Sequence, residues 1–353
     1  MGKKWLALAL CWLVVCPAFA EDMADMADMP EAEYAEESYN DEELDALLRI
    51  QGDEDISSAS EVVAPIIDSK VHTRIVTELG DNRIEQTYTH VKSGGVIGLG
   101  DKDATFRGLQ LLLNMLGGDL EVDGSIGEKS MALLADMQAI YGMAGNAGVV
   151  GRGEFEELLV NAYIVRDPIT AGSLLGPDHD RQVRYVLGAL NVLRGKHYSA
   201  KKQFDTLNTY KDGAARAQAC IIDWPQNGLL EQGQGFGAED CLLTVRTSRP
   251  RERATYMKVL RGGKMVCSLF IAGTAEVSVT LPKGTYSFLT SVGSTWYGPV
   301  EGFGDSGDCF YQQLSFGDKE RVDFKQDKQY TLILGGAPGN NVSTRDISPS
   351  DFH

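Results

Sequence analysis

The chain has 353 residues, which as a prior on domain number gives about two or three domains. Its formal net charge is −17, but sixteen acidic residues against the single Arg49 fall between Glu21 and Glu61, so residues 62–353 carry only −4. An acidic balance argues against nucleic acid, whose phosphates need a basic face, and against an anionic lipid surface.

The N-terminus reads as an export signal. Lys3 and Lys4 precede an apolar run from Trp5 to Val15, and Ala18-Phe19-Ala20 is an A-x-A cleavage pattern. The run is well short of the roughly 20 apolar residues that span a bilayer. Residues 1–20 are therefore expected to be removed, leaving a chain with no transmembrane segment in the cell envelope or outside the cell. Cys11 and Cys16 leave with the signal. The remaining Cys220, Cys241, Cys267 and Cys309 are an even number in an exported chain, which predicts disulfides. Pairing within sequence neighbourhoods gives Cys220–Cys241 and Cys267–Cys309, one of three connectivities. A zinc site is the alternative, but no C-x-x-C pair or histidine cluster supplies ligand spacing. No metal and no cofactor is expected.

Residues 21–61 carry two Met-Ala-Asp triplets and few large apolar side chains, the composition of a disordered acidic segment. Within it, Glu42 to Ile50 has the pattern of a short amphipathic turn. Residues 62–97 read as irregular with short strands. Residues 62–67 and 70–79 alternate weakly, and 83–91 has the look of a strand. Gly94-Gly95 and Gly98-x-Gly100 then form a flexible approach, without the strand context or lysine of a phosphate loop.

Residues 98–165 have the clearest periodicity. Leu109, Leu112, Leu113 and Leu116 share one helical face, Met131, Leu134, Ala135, Met137 and Gln138 a second, and Phe155, Leu158 and Leu159 begin a third. Asp123-Gly124, Gly148 and Gly151 supply the turns between them. The series Leu109-Gln110, Gly117, Asp123-Gly124 with Gly127, Met137-Gln138 and Gly148-Val149-Val150-Gly151 resembles the small three-helix peptidoglycan-binding domain found beside many bacterial cell-wall hydrolases. Three positions depart from that family: Met137 where it prefers Phe, and Ser130 and Glu154 where it prefers Thr. The match covers roughly a sixth of the chain. The resemblance implies a helical domain that holds a glycan or stem peptide of peptidoglycan. Asp123 and Gly124 then have two readings, a turn closed on its own backbone or a direct hold on the ligand. Tyr141 and Arg152 are the other candidates, because an aromatic face suits a sugar ring and a guanidinium suits a carboxylate. Both also read as ordinary surface residues.

Arg166-Asp167-Pro168 breaks the chain. Residues 170–222 follow with two stripes, Val183, Val186, Leu187, Leu190 and Leu193, then Ala200, Phe204 and Leu207, joined by a turn at 195–198. This pair resembles the tetratricopeptide-type helical hairpin of some exported or membrane-tethered bacterial proteins. Such arrays need about three repeats to bury a continuous core, so one hairpin is expected to act as a spacer or docking unit. Residues 223–240, rich in Gly, Gln and Pro, read as a linker.

From 241 to 353 the period falls to two. Leu243, Val245 and Thr247 alternate, and Gly262-Gly263 and Pro282-Lys283-Gly284 mark hairpin turns. Seven or eight short strands with regular turns predict a β-sandwich. Gly284-Thr285-Tyr286, Trp296-Tyr297-Gly298 and Phe303-Gly304 resemble a small β domain at the end of exported bacterial proteins. Trp296 and Tyr297 read either as core or as rim aromatics able to stack on a sugar.

No catalytic constellation accompanies these units. His72, His90, His179, His197 and His353 stand apart from zinc-ligand spacing, and Asp178-His179-Asp180 reads as the polar start of a helix. There is no G-x-S-x-G elbow and no S-x-x-K with S-D-N or K-T-G. A pair of glycan-cleaving carboxylates has no sequence signature, since the fold sets its separation. The sequence thus predicts a multidomain α + β protein: a small three-helix peptidoglycan-binding-like domain, a helical hairpin and a C-terminal β-sandwich. Its expected role is that of an exported, non-catalytic, cell-wall-associated protein that binds peptidoglycan. Two alternatives stay open: an interaction protein whose helical domain no longer binds glycan and which meets a protein partner through the hairpin or sandwich, or a regulatory partner of a separate wall hydrolase.

Overall fold

A computed structural model describes residues 67–353, apart from 146–147, 238–239, 306 and 336–340. The signal peptide, the acidic segment, residues 62–66 and the two leader cysteines lie outside the described residues. The protein is mixed α and β, with helices first and mostly antiparallel sheets after them.

Residues 69–92 overturn the reading of short strands. They form two helices, α1 (Ser69–Leu79) and α2 (Asn82–Lys92). Asp68 and Asp81 cap them, their carboxylates accepting from the backbone N–H of Lys70 and Arg83, each at 2.9 Å. The buried positions are His72, Ile75, Val76 and Leu79, then Ile84, Thr87, Tyr88 and Val91, both at i, i+3, i+4 and i+7. The β-branched content of these segments gave the impression of strands. The 3.6-residue period was the better signal.

Three further helices cover the three stripes, α3 (Arg107–Met115), α4 (Glu128–Ile140) and α5 (Arg152–Arg166). Of the stripe expected on α4 only Leu134 and Met137 are buried, with Ser130, while Ala135 is exposed. A two-stranded ribbon, β1 (Ile97–Gly98) with β2 (Val149–Val150), closes this part. Helix α5 is buried nearly all round, from Phe155 through Leu158 to Ile164. It packs on α1, α2 and α3, and on the next two helices, α6 (Pro168–Leu175) and α7 (Asp180–Leu193). Asp167 starts α6, accepting from Thr170 N–H at 3.0 Å, with Pro168 in the first turn where its missing N–H costs nothing.

Helix α7 packs on α8 (His197–Asp205), with Tyr185 edge-on to Phe204 at 5.7 Å, and α9 (Gly213–Ala219) follows. Among the residues of the α7 stripe, Leu193 stays partly exposed.

The segment read as a linker contains a strand. Gly228–Gln232 forms β3, which pairs antiparallel with β6 at one edge of a sheet. The remaining strands are β4 (Cys241–Thr247), β5 (Ala254–Arg261), β6 (Lys264–Ala272), β7 (Ala275–Leu281), β8 (Gly284–Gly293), β9 (Phe310–Ser315), β10 (Val322–Phe324), β11 (Lys328–Leu334) and β12 (Ser343–Asp346). A seven-stranded sheet has the order β12-β9-β8-β5-β6-β3, with β10 also on β8. A three-stranded sheet has the order β11-β4-β7, and β11 runs parallel to β4. A short helix, α10 (Pro349–Phe352), ends the chain.

The two sheets share one core. Leu243, Val245, Val277, Val279 and Leu332 of the smaller sheet join Met257, Val259, Leu269, Ile271 and Phe288 of the larger. A second cluster contains Tyr256, Phe270, Trp296, Phe303, Tyr311 and Phe352. Trp296 and Tyr297 are 3 % and 4 % exposed, which decides for the core reading over the sugar-stacking rim.

The expected disulfides are absent. No disulfide joins the four described cysteines, and Cys241 and Cys267 share one core cluster. Cys220 follows α9, Cys241 lies on β4 and gives its S–H to Lys325 O, Cys267 is sealed on β6, and Cys309 gives its S–H to Gly304 O. Among the described residues, no helix is long and apolar enough to cross a membrane.

Candidate binding surface

The Asp123-Gly124 turn is built around Gln110, a side chain only 1 % exposed on α3. Gln110 Nε2 donates to Asp123 Oδ1 at 2.9 Å and to Ser125 O at 3.1 Å, while its Oε1 accepts from Gly124 N–H at 2.7 Å. Ser125 N–H adds a second bond to Asp123 Oδ1 at 2.7 Å. These donors, Gln110 foremost, hold the Asp123 carboxyl below the usual aspartate range. Gly124 has φ +84°, and a Cβ there would lie 2.3 Å from Asp103 O, so no other residue fits. The Leu-Gln and Asp-Gly pairs singled out in the sequence are therefore partners in one closed turn. Asp123 Oδ1 serves the backbone, and the exposed Oδ2 remains outside those bonds.

Beside this turn runs the β1–β2 ribbon. Ile97 pairs with Val150, and both are fully buried. Their neighbours turn outward: Val96 is 57 % exposed, Leu99 60 % and Val149 42 %. Asp101 pins the ribbon, its Oδ2 accepting from Gly98 N–H at 2.8 Å. Gly100 N–H donates to Ile126 O, and Ile126 N–H to Asp101 O, so ribbon and turn are fastened together. Three large apolar side chains facing water on so small a ribbon form a local patch of the kind that marks contact surfaces.

The ribbon leads through Gly151 into Arg152 at the start of α5. Arg152 Nε donates to Glu156 Oε1 at 2.8 Å, and Tyr88 OH donates to the same oxygen at 3.1 Å. His72 Nδ1 lies 3.6 Å from it, within ion-pair distance when the ring is protonated but without a hydrogen bond. Burial lowers the His72 pKa, an effect opposed by Glu156 and reinforced by Arg152. The Tyr88 hydroxyl is pushed up by burial and by the Glu156 charge. One carboxylate thus gathers groups from α1, α2 and α5.

Of the four candidate residues, Asp123 and Gly124 lie in the turn and Arg152 lies just past the ribbon, paired to Glu156. Tyr141 is a correction. It is 1 % exposed, and its hydroxyl donates to Leu116 O at 2.9 Å, so it fills the core between α3 and α4 rather than edging a groove. Burial accordingly pushes its hydroxyl far above the usual tyrosine range. Sequence reasoning missed Glu156, His72 and Tyr88. Glu156 stands one helical turn after Arg152, a spacing that foretells such a pair, whereas His72 and Tyr88 had been assigned to strands.

His179 is buried with Nδ1 2.9 Å from Leu175 O. Among the described residues, no group of three or more His, Cys, Asp or Glu side chains is gathered to hold a metal ion. Comparison of the chain with family models, curated proteins and solved structures returned no match.

Proposed function

We propose that the protein is an exported, non-catalytic binder of peptidoglycan, and that contact is made by the β1–β2 ribbon and the adjoining turn. The observation that carries the reading is the exposure of Val96, Leu99 and Val149 on a ribbon that Asp101 pins beside the turn built on Gln110. Apolar side chains of this size cover the faces of sugar rings, while Asp123 Oδ2 is free to accept from a sugar hydroxyl or a stem-peptide amide. The order of Leu109-Gln110, Asp123-Gly124 and Gly148 to Gly151 in the helical part supports the family resemblance. On the same reading the helices after Asp167 form the tetratricopeptide-like spacer and the two sheets form a sandwich that presents a second surface. The leader at residues 1–20 delivers the chain to the cell envelope, away from nucleic acid.

The test is co-sedimentation with purified insoluble peptidoglycan. The full mature chain is expected to pellet, and a chain carrying Val96→Ser, Leu99→Ser and Val149→Ser is expected to stay in the supernatant with an unchanged circular dichroism spectrum. A wild-type chain that stays in solution, or a triple variant that pellets equally, overturns the proposal.

A second reading is favoured by Tyr141 and Arg152. Both candidate ligand contacts have internal partners, Leu116 O and Glu156. On that reading the helical part is a scaffold for a protein partner, among them a separate wall hydrolase, and the ribbon is its docking edge. Failure to pellet with the wall, together with loss of partner capture in the triple variant, selects it.

A further inference from the structure

Two grooves flank the edge strand β12, and they differ in their charge. The larger, about 520 Å³, is lined by Leu289, Gln313, Arg345 and Asp351 among others. Its arginine is fully engaged, with Arg345 Nη2 3.0 Å from Glu320 Oε1 and 2.7 Å from Gln313 Oε1. The smaller groove, about 340 Å³, is lined by Arg249, Phe310, Gln312, Ser343 and Thr344. Arg249 follows β4, and its guanidinium sits over the Phe310 ring, Cζ 5.4 Å from the centroid. Its Nε is buried without a hydrogen-bond partner. Among the described residues no carboxylate pairs with it, and the charge that acts on it is the like charge of Arg253.

Burying the Nε–H of a guanidinium without an acceptor costs free energy that a folded protein ordinarily offsets with a hydrogen-bond partner. Here the missing partner has a place to sit. The groove adds the Thr344 hydroxyl and the Gln312 amide, one N–H of which donates to Asp346 Oδ1 at 3.0 Å while the other is left for the oxygen of an anion; the Ser343 hydroxyl donates to Ser315 O at 3.3 Å. Its volume admits a compact group.

We propose that this groove is a binding site for a small oxoanion, a carboxylate or a phosphate, held by Arg249. The anion takes its oxygens to the guanidinium and turns its remaining polar atoms to Thr344 and the second N–H of Gln312. The site is separate from the ribbon of the helical part and does not depend on the peptidoglycan reading.

Titration calorimetry of the full mature chain at low salt tests it, using N-acetylglycine as the carboxylate probe and inorganic phosphate as the other. Saturable binding of at least one probe is expected, at a dissociation constant of about 10 mM or below. Arg249→Gln is expected to weaken it roughly tenfold or more, and Arg249→Lys, which keeps the charge and loses the fork, by a smaller factor. Thr344→Val, on the exposed edge strand, covers the case in which Arg249→Gln fails to fold and is expected to weaken binding severalfold. Arg345→Gln, in the other groove, leaves it unchanged. A preference for one probe identifies the source of the anion. No binding of either probe, or equal binding by folded Arg249→Gln and Thr344→Val proteins, overturns the proposal.

Discussion

Glu301 caps a helix to which it is not joined in sequence. Its carboxylate accepts from the backbone N–H of Ser199 at 3.2 Å and from the Ser199 hydroxyl, and it also accepts from Tyr198 N–H at 2.6 Å. Helix α8 begins at Lys196 with no side-chain cap of its own, so the loop following β8 supplies the anion that its free N–H groups need. Tyr198 and Tyr297 meet edge-on at 5.1 Å beside this bond, and Ile222 N–H donates to Trp296 O at 2.9 Å. The helical and sheet parts are fastened there.

Removing that cap is therefore expected to loosen both parts together. Glu301→Ala should cost about 1–2 kcal/mol, because it takes away a charge-assisted cap. Ser199→Ala should cost less, since the backbone N–H bonds survive. Urea unfolding followed by helical circular dichroism and by tryptophan fluorescence should give coincident transitions that shift equally. Two separated transitions, or a Glu301→Ala protein as stable as wild type, would show that the cap does not couple the parts.

His72 makes stability depend on mild acidity. Its burial lowers the folded-state pKa below the ordinary histidine value of about 6.5, so its contribution is complete above that value. As pH falls through 6.5 the unfolded chain takes up the proton first, and stability is lost down to the lowered folded pKa. His197, also shifted down by burial, acts in the same direction. Proton NMR titration should find the His72 ring titrating below the free value, and Glu156→Gln should move it lower still by removing the opposing carboxylate. A His72 ring that titrates at 6.5 or above contradicts this account.

The thiols should be reduced and hard to reach. Burial pushes Cys220 up to about 11 and Cys267 up to about 12, so neither forms thiolate near neutral pH. Labelling of the folded mature chain should modify Cys309, the half-exposed one, first, and the other three only after denaturation. Mass mapping without reductant that links Cys220 to Cys241 would restore the pairing expected from sequence.

Much of the helical part was legible because amphipathic periods survive folding. The stripes of α3, α4 and α5 and the strand alternation after Cys241 are local patterns, and so are the Asp-Gly turn and the Gly262-Gly263 hairpin. Helices α1 and α2 carried the same period but were obscured by β-branched residues, and β3 was hidden in a glycine-rich composition. What no local pattern holds is how these elements meet. Gly108 is an example: a Cβ there would lie 2.3 Å from Thr87 Oγ1 and 2.6 Å from Arg83 O, so it is required by the close crossing of α2 and α3. In sequence it is one glycine near a helix start.

The sequence by itself determined the helical stripes from Leu109 onward, the strand alternation after Cys241, the acidic segment at 21–61 and the position of the Asp123-Gly124 turn, since each is a pattern within about one element. Tertiary structure alone decided that Tyr141 is core, that Glu156 joins three helices, that Glu301 caps α8 and that Arg249 pairs with no carboxylate among the described residues. Those outcomes depend on burial and on distances between residues far apart in the chain, and neither is written in periodicity or spacing.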